Sequence, residues 1–355
     1  MTQKLSDGRV KSCTKLVTPR ELEAEFPVSE RAARTVLNTR EALEGILDGD
    51  DQRKFVVVGP CSIHDPEQAL EFAEGIKPTA NKVKDKIVVV MRAYLEKPRS
   101  SPDWRGYILD PDLDDTGKVN KGFRTARKLL LDLGELGIPV GTEALYPHVP
   151  RRLGDLVSWT SIGARSTQNP AHKEMASALS TPVGFKNTTS GDIREAILAI
   201  KHGQASYSFL GEDYDGVSCI VNGTGNPYCH IILRGGTNGT NYDEQSIAAV
   251  VEAKEKEGLK PRIVIDCSHG NSGKDYRMQR VVFRYVLKHF LSKGNRNVLG
   301  LMMEANIKEG NQKLDIRNPG NLERGRSITD SCDSLSTAKG LLEEAYEVLP
   351  SPKSS

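Results

Sequence analysis

From Phe55 onward the chain alternates short apolar runs with longer stretches whose apolar residues recur at helical spacing. The runs cover 55–59, 87–91, 138–142, 156–164, 182–185, 230–233, 262–267 and 298–303. Their length and β-branched content predict buried strands, and the stretches between them predict helices. Asp65-Pro66 supplies an N-cap and a first-turn proline ahead of EQALEFAEGI. The periodic stretch 123–136 stops before Gly137, 192–200 behaves likewise, and 244–257 ends before Gly258.

Strand–helix alternation of this kind predicts an α/β fold, a (β/α)₈ TIM barrel. Two further β-like stretches, 207–210 and 217–221, flank the turn-rich GEDYDG and read as a hairpin inserted into the barrel. Spacing alone also allows ten strands in an open sheet. The polar segment 1–54, helical over 30–47, reads as an N-terminal extension that makes oligomer contacts. The catalytic barrel then spans 55–349, with the hairpin at about 206–222 and a tail at 350–355.

Chemistry enters at the strand ends. The residues that follow the successive runs are Cys61, Arg92, Glu143, Arg165, Lys186, Arg234, His269 and Glu304. In a (β/α)₈ barrel those ends converge on one face, where the active site is built. One such residue is usually a solvated loop side chain, but eight in phase are a pattern. Arg92, Arg165, Lys186 and Arg234, joined by Lys97 and Arg99 of KPRSS, form a cationic group suited to carboxylate and phosphate. Cys61, His269, Glu304 and Asp330 combine a thiolate, an imidazole and two carboxylates. That mixture suits Mn²⁺, Fe²⁺, Co²⁺ or Zn²⁺ better than Mg²⁺ or Ca²⁺. Taken singly, each has a plainer reading: a space-filling Cys, a capping His, carboxylates in salt bridges. His64 is expected to hydrogen-bond near the site and not to ligate. Lys186 at a strand end also admits a Schiff-base aldolase, which a Lewis acid would make unnecessary.

The 49 basic and 47 acidic residues leave a net charge of +2, so the cationic group is local. That balance predicts no nucleic-acid footprint and no polybasic membrane anchor. No apolar run reaches the roughly 20 residues of a membrane span, and MTQKLSDGRVKSC has no signal-peptide core. The 6 cysteines show no C-x-x-C spacing or disulfide framework, which predicts reduced thiols and a cytoplasmic protein.

GPCSIHD, MRAYLEKPRSS, IGARST, PVGFKN, HIILRGG, DCSHGNS, EGNQ and SITD follow one another in a single order. In that order they resemble the type I 3-deoxy-D-arabino-heptulosonate 7-phosphate (DAHP) synthases, most closely the microbial feedback-regulated branch. The resemblance runs from about residue 17 to residue 345. It implies a condensation of phosphoenolpyruvate with erythrose 4-phosphate, the first step of the shikimate pathway. It implies that Arg92, Arg165, Lys186 and Arg234 hold phosphoenolpyruvate, and that Lys97, Arg99 and Ser100 hold erythrose 4-phosphate. The metal, which polarises the aldehyde, falls to Cys61, His269, Glu304 and Asp330. A water positioned near Glu143 and Lys186 then attacks C2. Lys97, Lys186, Glu143 and His269 are thereby the candidate catalytic residues, and a homo-oligomer, dimer or tetramer, is expected.

Several loops depart from that pattern. Ser100 and Ser101 replace a usual pair of threonines, and KNTTSG (186–191) replaces KNGTDG. Tyr146 stands where an acidic residue is usual, and SITDSCDS (327–334) replaces SITDACIG. The resemblance places aromatic amino acid effectors near the hairpin and the segment 150–155. The altered residues 147–152 and Gly211-Glu212-Asp213-Tyr214 predict weakened or absent inhibition, with Gly211 leaning towards tyrosine. Alternatives are a specialised paralogue using a related aldehyde in secondary metabolism, or a non-catalytic regulatory subunit that binds an aromatic amino acid.

Overall fold

The structure, a computed structural model, describes residues 5–99 and 103–351. Two helices, α1 (Pro19–Glu25) and α2 (Glu30–Asp48), lead into the barrel. Eight parallel strands follow: β1 (Lys54–Gly59), β2 (Ile87–Arg92), β3 (Val140–Glu143), β4 (Trp159–Ile162), β5 (Val183–Lys186), β8 (Cys229–Leu233), β9 (Ile263–Asp266) and β10 (Val298–Asn306). The hairpin of β6 (Tyr207–Glu212) and β7 (Ser218–Gly223) is inserted before β8, and the short β11 (Asp333–Ser334) adds to β10. The helices between and after them are α3 (Pro66–Val83), α4 (Val119–Leu136), α5 (Val149–Leu153), α6 (Pro170–Ala176), α7 (Arg194–Gly203), α8 (Glu244–Lys256), α9 (Tyr276–His289) and α10 (Leu335–Val348).

Closure is direct, because β1 pairs with both β2 and β10. This decides between the closed barrel and an open ten-stranded sheet. At the seam Phe55 lies opposite Gly300, where an added Cβ would stand 2.6 Å from the Phe55 carbonyl oxygen. Only glycine allows that approach.

Alternation along each strand sorts the core into two layers. Val56 and Val58 face the surrounding helices, whereas Phe55 and Val57 join Val90, Trp159, Ile232, Val264, Leu299 and Met302 inside the barrel. Leu43, Ile46 and Leu47 of α2 pack into this inner cluster. The second half of α2 is thus a plug at the N-terminal end of the barrel, each side chain contributing roughly 1.5–3 kcal/mol by burial. The segment 5–15 ahead of it is exposed throughout. The caps are local and legible: Thr18 and Glu21 form a capping box on α1, and Asp65, Asp243 and Asp275 cap α3, α8 and α9.

The six cysteines are all unpaired. Among the described residues no helix is long and apolar enough to cross a membrane.

Candidate active site

The C-terminal ends of the strands bring most of the predicted residues together. Cys61 follows β1, Arg92 ends β2, Glu143 ends β3, Lys186 ends β5 and Arg234 follows β8. Glu304 is not beyond its strand; it lies inside β10, which runs on to Asn306.

Cys61 Sγ, a carboxylate oxygen of Glu304 and one of Asp330 lie within 4.8 Å of one another. Cys61 and Glu304 are buried, and Asp330 is half-buried. His269 stands next to this trio, not inside it: its Nε2 is 3.8 Å from Glu304 Oε1. Its ring is aimed there by a backbone in the left-handed region, φ 57°, which costs a non-glycine residue about 1 kcal/mol or more. On the far side of the ring, Nδ1 is 3.0 Å from Asp266 Oδ2 and 2.7 Å from Ser268 Oγ. A carboxylate on Nδ1 keeps the proton there and leaves the Nε2 lone pair directed at the trio. His64 is buried but is not part of the group.

The donor set fits a divalent transition ion. One soft sulfur, one imidazole nitrogen and two carboxylate oxygens converge in a mostly buried site, with cations at its border. Lys97 Nζ donates to Cys61 Sγ at 2.8 Å and to the Cys61 carbonyl at 3.1 Å. Burial, and then the charge of Glu304, push the Cys61 thiol up in the protein alone. Burial opposes ionisation of Asp330, but Lys97, His269, Lys274 and Arg99 outweigh it and hold its carboxyl below the ordinary range.

Lys186 and Asp266 form a second buried unit, Nζ to Oδ2 at 3.0 Å, with side chains 4% and 0% exposed. Burial pushes the Lys186 ammonium down, but Asp266, followed by Tyr94 and Glu143, outweighs it and holds the ammonium above the usual lysine value. The neutral amine that imine formation needs is therefore disfavoured. Asp266 was not among the residues singled out above. Its carboxylate lies beside Lys186 and His269 at once and, despite its burial, is held well below the normal range, by the Lys186 charge first and then by His269.

Arg92 is 1% exposed and engaged on every nitrogen. It donates to Pro60 O (3.1 Å), Cys61 O (3.2 Å), Glu304 Oε1 (2.9 Å) and Met302 Sδ (3.3 Å), and its guanidinium lies 3.5 Å from the centre of the Tyr94 ring. It holds up the floor of the site. Arg234 is half-buried; its backbone is fixed by Asn187 Oδ1 on its N–H (2.8 Å) and by the Asn271 N–H on its carbonyl (3.1 Å). Arg165 is exposed and acts electrostatically on Arg234. Arg99 is exposed as well, with Nε on Trp104 O at 2.9 Å, while Ser100 lies outside the described residues. Glu143 is 6% exposed, and its Oε1 has no hydrogen-bond partner among the described residues. A cavity of about 530 Å³ opens between the hairpin and α5 and is lined by Pro147, Pro150, Asp155, Gly211, Tyr214 and Val221 among others.

Residues 25–343 match the model of the DAHP synthetase I family. A Tyr-sensitive phospho-2-dehydro-3-deoxyheptonate aldolase of Escherichia coli (strain K12) is 44% identical over 334 residues, 94% of this chain and 93% of that protein. The Phe-sensitive enzyme of the same strain is 43% identical over 344 residues, 97% of each. Among solved structures, phospho-2-dehydro-3-deoxyheptonate aldolase from Francisella tularensis SCHU S4 superposes with a TM-score of 0.92 at 37% identity, covering 96% of this chain and 98% of that one.

Proposed function

The chain belongs to the DAHP synthetase I family, and from that premise we propose that it condenses phosphoenolpyruvate with erythrose 4-phosphate to DAHP and phosphate on a divalent ion held by Cys61, His269, Glu304 and Asp330. The observation that carries this reading is the convergence of the thiol and two carboxylates within 4.8 Å, bordered by Lys97 and Arg92. When bound there, the ion supplies a Lewis acid for the aldehyde carbonyl. Mn, Fe, Co and Zn all suit the donors.

The chain's own groups do the rest. Lys186, Arg165 and Arg234 hold the phosphate and carboxylate of phosphoenolpyruvate. Arg92 adds charge from beneath, and bonding substrate directly requires it to release one of its present acceptors. Lys97 and Arg99, with Ser100, hold the phosphorylated aldehyde. Glu143, whose Oε1 has no hydrogen-bond partner among the described residues, accepts from the water that attacks C2 once the enol carbon has bonded to the aldehyde. The hemiketal then expels phosphate. Fixed cations around the developing charges are the largest source of acceleration such a site offers.

Phosphate release from phosphoenolpyruvate should require erythrose 4-phosphate. If another aldehyde supports turnover and erythrose 4-phosphate does not, the pathway assignment falls. The same assay tests regulation. Relatives are named for tyrosine and phenylalanine sensitivity, but here the rim of the hairpin-side cavity is tied by Arg152 to Glu212, and Arg151 lies 5.0 Å from the Tyr214 ring. We expect inhibition by either amino acid to be weak or absent, and half-inhibition at micromolar concentrations would overturn this.

A homo-oligomer is part of the proposal. Leu210 and Ile220 face each other across the hairpin and are 89% and 69% exposed, an apolar pair suited to burial against a second copy. A monomer in analytical ultracentrifugation at micromolar concentration would remove it.

A further inference from the structure

One buried acid is left unused by the reaction as described. Glu96 is 1% exposed, and among the described residues no ion pair reaches it. It does not face the metal group. Instead Oε1 accepts the Tyr146 N–H at 2.9 Å and Oε2 the Leu145 N–H at 3.3 Å. Burying a carboxylate for two backbone amides is an expensive way to tie a loop, and burial pushes its carboxyl up to about 8, the two amides pulling it down and Glu143 pushing it up.

The tie joins two segments that both carry site residues. Glu96 immediately precedes Lys97, whereas Leu145 and Tyr146 lie just beyond Glu143 at the end of β3. The backbone around Glu96 is gripped from its other side: the Lys97 N–H donates to Arg105 O at 3.1 Å, and the Ile108 N–H to Leu95 O at 3.2 Å. Gly106, at φ 108°, passes so close that an added Cβ would stand 2.7 Å from Glu96 Cα. The loop beyond β3 is braced in turn, because the ring Nε2 of the buried His172 lies 2.7 Å from Leu145 O. Remove the Glu96 bonds and the 95–97 segment keeps only one of its two walls.

We propose that Glu96 is a positioning residue, whose carboxyl group clamps the loop beyond β3 and so sets the placement of Lys97 and Arg99 towards the phosphorylated aldehyde. This rests on the reading above, in which those two residues hold erythrose 4-phosphate. Glu96→Gln is the sharpest test, since an amide nitrogen replaces one acceptor and faces a backbone N–H with a second donor. The KM for erythrose 4-phosphate should rise about tenfold, the effect of one buried hydrogen bond lost, while the KM for phosphoenolpyruvate stays within about twofold. Glu96→Asp keeps both acceptors one methylene short; it should shift the same KM in the same direction by less, and it serves if the glutamine variant does not fold. Unchanged KM values, a parallel rise in both, or a lowered Tm with intact kinetics in these variants would each overturn the proposal. A wild-type enzyme without aldehyde-dependent phosphate release would instead overturn the functional reading on which it rests.

Discussion

Cys61→Ala is expected to abolish stoichiometric metal binding and to lower aldehyde-dependent phosphate release by about three orders of magnitude. Cys61 is the only sulfur in the trio, and its neighbour Lys97 is placed 2.8 Å away to support a thiolate. Without it the site keeps two carboxylates and an imidazole, a harder and weaker set for a late transition ion. Loss of a Lewis acid at a carbonyl is worth several kcal/mol of transition-state stabilisation, and each 1.36 kcal/mol is tenfold in rate. Elemental analysis of the purified variant, with steady-state phosphate release, checks both halves. Near-normal turnover in a metal-free Cys61→Ala protein would remove the metal from the account.

The second large effect is assigned to Asp266. Its Oδ2 is 3.0 Å from both Lys186 Nζ and His269 Nδ1, and it is fully buried. Asp266→Asn therefore removes the counter-charge of a buried lysine, a change that typically costs about 3–5 kcal/mol. It also loosens the imidazole orientation, and outer carboxylates of this kind are worth about 10–100-fold in metal affinity. We expect a lower urea midpoint, metal affinity reduced by about that factor, and little activity. Lys186→Met in the same protein should restore part of the stability, because the unpaired ammonium is gone, and none of the turnover. Stability unchanged in Asp266→Asn alone would mean that Lys186 is not charged in the folded protein.

Asp266 also marks where reading the chain stopped short. Taking the residue beyond each apolar run recovers Cys61, Arg92, Glu143, Lys186 and Arg234, because strands of this fold release the chain at one face. Asp266 escaped because it sits inside the run 262–267, as the last residue of β9. The available signal was the spacing to His269, three residues on. Glu304 was found for a reason only partly right: it points into the site from within β10, where alternation, and not strand termination, directs it. The hairpin was legible from its turn and its alternation, within two residues at either end of each strand. The plugging of the barrel by α2 was not. Leu43, Ile46 and Leu47 announce an apolar face, but nothing local to a helix says whether that face meets a barrel end or a second copy. Arg92 shows the same limit. Its chemistry is visible in the sequence, whereas its engagement with Glu304 and Met302 follows from contacts across more than 200 residues of chain.

The same limit applies to the loops. Departures beside Lys97, Lys186 and Asp330 leave Cys61, Glu304 and Asp330 converged, with His269 directed at them.

The central claim is that one divalent ion, at Cys61, His269, Glu304 and Asp330, is required for the condensation. Protein stripped by a chelator and dialysed free of it should be titrated with Mn²⁺ while phosphate release from phosphoenolpyruvate and erythrose 4-phosphate is followed. The account predicts almost no activity at the start, a linear rise, and a plateau near one equivalent per chain. Undiminished activity in the stripped protein, or activity restored equally in Cys61→Ala, would contradict it.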